Sequence, residues 1–277
     1  MDTKLQSLTT ELASTAPFAP PMPRLDERPR RSMAGAGVAV GAFAAIVLVA
    51  VLSLASWSLV ADRSSDVASA DVYTAMGASP VAIVADDGSA LRGYLWSGSA
   101  NGVLMVPAYG QGSDELLPMA TSAHAEGATV LLLDPRGQGA SEGDRRVDLL
   151  VADLHAAIAD LQTRGVETAT VVGIRHTATA AIVMATEPPE TVEHVVAFFP
   201  FEQYQGLDAI SVVAEASVPL TIVGASQPSD LGPWAGHLIT AAPDGTTGLL
   251  LPPLPSDAVF MNHYREAMVE IVRDLAN

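Results

Sequence analysis

Residues 170–177 read Thr170-Val171-Val172-Gly173-Ile174-Arg175-His176-Thr177. An apolar strand runs to Gly173, helix-forming residues start near Thr177, and Arg175 sits exposed at the sharp turn between them. A side chain at such a strand-to-helix turn is presented to a bound molecule, and a hydroxyl or thiol there can attack a carbonyl. A guanidinium cannot, because it stays protonated at any ordinary pH. Arg175 is suited instead to holding an anion, since the first amides of the following helix and its dipole favour negative charge at the same spot. A carboxylate or phosphate ligand is the expectation. The competing one is that Arg175 pairs with a nearby acid such as Glu202 and plugs the pocket.

The flanking pattern must position this turn. Residues 80–85 and 90–96 are short apolar runs joined by Asp86-Asp87-Gly88-Ser89, a hairpin signal. Strands are expected at 103–106, 129–133, 169–172, 195–199, 220–223 and 248–251. Helices are expected at 116–126, 147–164, 178–185, 231–241 and 258–275. The second of these puts Leu150, Leu154, Ile158 and Leu161 on one face. Strands alternating with helices predict an α/β fold, a mostly parallel sheet covered on both faces. Ligands of such sheets sit beyond the carboxyl ends of the strands. Residues 107–112, Arg175, 224–230 and 252–257 are thereby placed around one crevice.

Charge and cysteine content narrow the function classes. The 277 residues carry a net charge of −17 and no cysteine, so disulfides and thiolate metal sites are excluded. Residues 1–61 have five Lys/Arg against four Asp/Glu, whereas residues 62–277 have nine against 27, a body of −18. Such a surface repels phosphate backbones, and no nucleic-acid partner is expected. No second histidine or carboxylate stands at ligand spacing from His176, so no metal and no cofactor are expected. His124, His155, His194 and His237 are read as surface or partly buried residues without a role.

Residues 33–61 contain no charged side chain, a longer run than the roughly 20 residues that cross a bilayer as a helix. Arg24, Arg28, Arg30 and Arg31 precede it, and Trp57 lies near its far end. The positive-inside rule then keeps the amino terminus cytoplasmic and the acidic domain extracytoplasmic, at a cell membrane crossed once. The expected organisation is a disordered tail at 1–33, a transmembrane helix at 34–61, a linker at 62–78 and a domain at 79–277. A cleaved signal peptide is the alternative, since Ala68-Ser69-Ala70 has the look of a cleavage site. Gly37 and Gly41 form a Gly-x-x-x-Gly pair through which two such helices could meet as a homodimer.

Over residues 80–277 the chain resembles the α/β-hydrolase superfamily. The run Asp134-Pro135-Arg136-Gly137-Gln138-Gly139-Ala140-Ser141-Glu142-Gly143 is similar to that family's Asp-x-Arg-Gly-x-Gly-x-Ser-x-Gly turn. The resemblance implies a structural role there, with Arg136 tying loops together and neither Asp134 nor Ser141 catalytic. It also makes residues 173–177 the counterpart of the nucleophile elbow Gly-x-Ser-x-Gly, with Arg175 at the serine and Thr177 at the second glycine. The acid position, in Gly224-Ala225-Ser226-Gln227-Pro228, holds neutral Gln227. The histidine position falls near Pro255-Ser256-Asp257, with Ser256 in its place.

All three triad positions, Arg175, Gln227 and Ser256, are thus read as substituted. The resemblance implies oxyanion donors at the Tyr109 and His176 amides, within Pro107-Ala108-Tyr109-Gly110 and just after Arg175. Two functions follow. One is a membrane-anchored pseudoenzyme that binds a small anionic ligand or a protein partner at Arg175. The other is an active serine-type hydrolase, esterase- or peptidase-like, with displaced residues. Its rescue candidates are Asp230 or Glu202 as acid, His263 as base, and Ser226 or Thr177 as nucleophile.

Overall fold

Four consecutive apolar residues after Thr129 in Thr129–Leu133, all five positions buried, mark a strand covered on both faces, and its neighbours repeat the pattern. The computed structural model describes residues 72–226, 234–251 and 257–276, the last helix by backbone alone up to residue 263. Its main sheet uses β1 (Ser79–Val84), β2 (Ala90–Trp96), β3 (Asn101–Val106), β4 (Thr129–Leu133), β5 (Thr168–Ile174), β6 (Val192–Phe198), β9 (Leu220–Ala225) and β10 (Thr247–Leu251). The strand order is β1-β2-β4-β3-β5-β6-β9-β10. Strand β2 runs antiparallel to both its neighbours, and every pairing from β4 to β10 is parallel.

Helices cover both faces, as the alternation predicts. On one side α2 (Leu150–Thr163) buries Leu150, Leu154, Ile158 and Leu161 beside α3 (His176–Met184) and α5 (Trp234–Ala241). On the other side α1 (Leu117–Ala125) packs Met119, Ala120 and Ala123 near Met268, Ile271 and Val272 of α6 (Asp257–Ala276). Each fully buried leucine or isoleucine contributes about 1.5–3 kcal/mol relative to exposure, so two such layers hold the sheet rigid. The register aligns Val106 with Gly173, Ile174 with Phe198, and Phe198 with Val223. Residues following β3, β5, β6 and β9 therefore emerge side by side at one end.

Two parts of the chain depart from the sequence reading. Residues 72–75 form a helical turn within the stretch expected to be linker, and Tyr73 is buried there. Its ring stacks on Tyr94 at 3.9 Å, and Trp96 Nε1 donates to the Met76 carbonyl at 2.9 Å. Aromatic burial inside an otherwise small, polar run supplies what periodicity could not reveal. After β6 the chain makes a small hairpin, β7 (Gln203–Tyr204) and β8 (Leu207–Asp208), followed by α4 (Ala209–Val212). Gln205 and Gly206 turn it with φ of 44° and 96°, the positive values that tight hairpins need.

The apolar run at 33–61, with Gly37 and Gly41, lies outside the described residues. Among the described residues no helix is long and apolar enough to cross a membrane.

Candidate functional site

The strand-to-helix turn after β5 is a sharp elbow with Arg175 at its apex. Arg175 alone separates β5 from α3, and its φ of 58° with ψ of −110° is a conformation a non-glycine residue seldom adopts. Such backbone costs about 1–3 kcal/mol and persists only where the surroundings enforce it. Here they do. The Arg175 N–H donates to the Phe198 carbonyl at 2.9 Å, and the Thr179 N–H donates to the Arg175 carbonyl at 2.9 Å. A Cβ on Gly173 would fall 2.5 Å from the Thr177 backbone, so strand and helix meet where only glycine fits.

Thr177, two residues past the apex, is accommodated in the turn. It is 1% exposed, and its hydroxyl accepts from the Ile174 N–H at 2.8 Å. The same oxygen lies within donating distance of the Val106 carbonyl, 2.8 Å, and the Ile174 carbonyl, 3.0 Å. A hydroxyl so engaged and enclosed cannot serve as the rescue nucleophile.

Around the elbow the rings converge on Phe201. The Arg175 Cζ lies 5.2 Å from the Phe201 centroid, within cation–π range. His176, Tyr204 and Trp234 surround the same ring at 5.1, 5.0 and 4.9 Å between centroids. Phe199 turns the chain here with a φ of 54°, and the Thr179 hydroxyl accepts from the Phe201 N–H at 2.9 Å. Helix α3 thereby fixes Phe201 against the elbow it starts from.

Glu202, one example of an acid expected near Arg175, is bonded to a histidine. Its Oε1 lies 2.5 Å from His237 Nδ1, on α5. His237, expected to have no role, is exposed and has one nitrogen oriented by a carboxylate. The two residues are 35 apart in the chain, and neither has a local signal for the pairing.

The Tyr109 and His176 positions are brought together, their rings 5.9 Å apart. His176 is the first residue of α3, so its N–H has no acceptor within the helix. The loop carrying Tyr109 is stapled by Gln138, which accepts from the Gly110 N–H at 2.6 Å and donates to the Ala108 and Gln111 carbonyls. His176 is 9% exposed, and its Nδ1 has no hydrogen-bond partner among the described residues. Burial, and then the adjacent Arg175 charge, lower its pKa to about 4, so the imidazole is neutral near pH 7.

The turn at 134–143 has the structural role the resemblance implied. Arg136, 3% exposed, donates to both Asp153 oxygens, at 2.7 and 2.5 Å, and to Asp87 at 2.7 Å. It thereby joins the β1–β2 hairpin to α2. The Asp153 hydrogen bonds, and those to Asp87, push the guanidinium pKa further up. Ser141 accepts from the Arg92 N–H at 2.8 Å and donates to the Asp134 carbonyl at 2.7 Å, while the Asp134 carboxylate accepts from Ser113.

Gln227, Ser256 and Asp230 lie outside the described residues, as does the His263 side chain on α6. Ser226 is exposed at the end of β9, its N–H donating to the Leu251 carbonyl at 2.8 Å. Among the described residues no three His, Asp or Glu side chains are grouped to hold a metal ion.

No known family model matches this chain. A polyketide transferase of a Penicillium species, GrgF, is 42% identical over 66 residues, a stretch spanning 23% of this chain and 22% of the transferase. An esterase from Pyrococcus furiosus superposes with a TM-score of 0.62 at 17% identity, over 72% of this chain and 91% of the esterase. An enol-lactonase from Burkholderia xenovorans gives 0.60 at 12% identity, over 71% of this chain and all (100%) of the lactonase. The crystal structure of GrgF gives 0.54 at 17% identity, over 71% and 99% of the two chains. The fold is that of the α/β-hydrolases.

Proposed function

We propose that the domain is a hydrolase-fold binding module in which Arg175 receives an anion at the site where acyl transfer would otherwise occur. The observation that carries this reading is the strained apex itself. A cationic side chain occupies a position with φ of 58°, held beside the first amides of α3. A strain of about 1–3 kcal/mol is what a protein retains where presentation of a side chain matters. In the same reading the apolar run at 33–61 anchors the protein once in a membrane, with the acidic domain extracytoplasmic and Gly37 and Gly41 available for helix pairing. The ligand is a small anion or an acidic group of a protein partner.

The test is thermal stabilisation of the full chain by acetate, phosphate and longer carboxylates, compared with Arg175→Ala. A shift in the wild type that the substitution abolishes is expected. No shift with any anion, together with an unchanged variant, would overturn the reading.

A second reading has one specific observation in its favour. The His237–Glu202 pair, 2.5 Å apart beside Phe201, has the arrangement of a general base oriented by its carboxylate. The structural neighbours include an esterase and an enol-lactonase, which would make an ester or lactone the substrate. Release of p-nitrophenol from short acyl esters, lost in His237→Ala, would establish it. The two readings also part on the triple change Arg175→Ser, Gln227→Asp and Ser256→His, which the first expects to create activity where none existed.

A further inference from the structure

We propose that the anion received at Arg175 is carried on a flat aromatic ring: the ligand class is an aromatic carboxylate. This rests on the binding reading above and narrows its ligand.

The chain is poor in aromatic residues, only 5% of the sequence. Yet Tyr109, Phe201, Tyr204 and Trp234 gather around the single turn between β5 and α3. Phe201 is almost covered, whereas Tyr109, Tyr204 and Trp234 are only half-buried. Rings clustered for core packing alone would be enclosed, as Tyr264 and Phe198 are on the sheet.

The cations follow the same geography. Nine arginines serve a body of −18, and two of them lie over rings of this cluster. Arg145 is 5.8 Å from the Tyr109 centroid and Arg175 is 5.2 Å from that of Phe201. A carboxylate at the elbow would meet Arg175 and the opening amides of α3, while its ring would lie against Tyr204 and Trp234. Offset or edge-on stacking of this kind adds about 0.5–1.5 kcal/mol beyond area burial, which an aliphatic ring does not receive.

An independent observation points to a ligand with polar as well as flat character. His176 Nδ1 is enclosed among Tyr109, Phe201 and Tyr204 without a hydrogen-bond partner among the described residues. Leaving such an atom unsatisfied is costly, and a polar group of a bound ligand that reached it would satisfy it.

The experiment is calorimetric titration of the full chain in detergent with benzoate, cyclohexanecarboxylate and inorganic phosphate. Benzoate is expected to bind at least about tenfold more tightly than cyclohexanecarboxylate, a ratio equivalent to about 1.4 kcal/mol. Tyr204→Leu should bring the ratio close to one, and Tyr204→Phe should preserve it. As a measurement that does not depend on that variant folding, benzoate should quench tryptophan fluorescence in the wild type but not in Trp234→Phe. Equal affinity for the two carboxylates would overturn the aromatic class while leaving anion binding intact. No binding of any of the three would overturn both. A benzoate preference that survives Tyr204→Leu, with quenching that survives Trp234→Phe, would remove the ligand from this cluster and overturn the proposal.

Discussion

The turn at 134–143 and the elbow at 173–177 both leave the same end of the sheet, but they are maintained by different means. The first is held by side chains, with Arg136 bridging Asp87 and Asp153 and Ser141 bridging two backbone groups. The second is held around its apex, by the close approach at Gly173, the backbone hydrogen bonds of Arg175 and the enclosed Thr177 hydroxyl, which accepts from the Ile174 N–H. A turn built from its side chains cannot change them without losing stability. A turn held by contacts other than its apex side chain is free to change that side chain, and with it the chemistry. That freedom lets an arginine stand at the apex of a strained turn.

The contrast can be broken most directly at Arg136. Arg136→Ala strands Asp153, which is 2% exposed, and should destabilise the domain by about 3–5 kcal/mol in urea unfolding. An unchanged midpoint would mean that the first turn is no more dependent on its side chains than the second.

Acid titration tests the elbow's surroundings. His176 has a folded pKa near 4 against an ordinary 6.5, so the unfolded chain takes up its proton first as the pH falls. Its contribution is complete above pH 6.5 and is lost between there and pH 4, an effect of about 3 kcal/mol. His194, also lowered by burial, adds a loss of the same sign. His176→Phe should flatten the stability profile across that window and leave the His194 part. An identical profile in the variant would show that the imbalance lies elsewhere.

The smallest effect sharpens the comparison most. Arg175→Gly relieves positive φ but gives up the contact over Phe201 and frees the unfolded chain. A net gain of roughly 0.5–1 kcal/mol is expected from denaturant midpoints. A loss instead would mean that the guanidinium itself holds the elbow in shape.

The architecture was legible because long, regular signals carried it. Leu150, Leu154, Ile158 and Leu161 repeat at helical spacing, and the Asp134 turn has a distinctive order of glycines and polar residues. The Gln203–Tyr204 and Leu207–Asp208 strands were missed because two residues are too few to show alternation. Tyr73 was assigned to a linker because one ring in a polar run has no period, although it finds Tyr94 in space. The position of Arg175 was readable from Gly173 and the apolar strand before it. Its neighbours were not, because Phe201, Trp234 and the Glu202–His237 pair are assembled by tertiary packing across more than 30 residues.

The Tyr73 latch has a mechanical consequence. Tension applied to the chain ahead of residue 72 reaches the stacked tyrosines and the Trp96 indole bond before it reaches any strand ladder. Those contacts would peel one after another, shielding β1 and the sheet behind it from tugging at the amino-terminal side. The carboxyl end of the sheet would thus be insulated from forces transmitted along the chain.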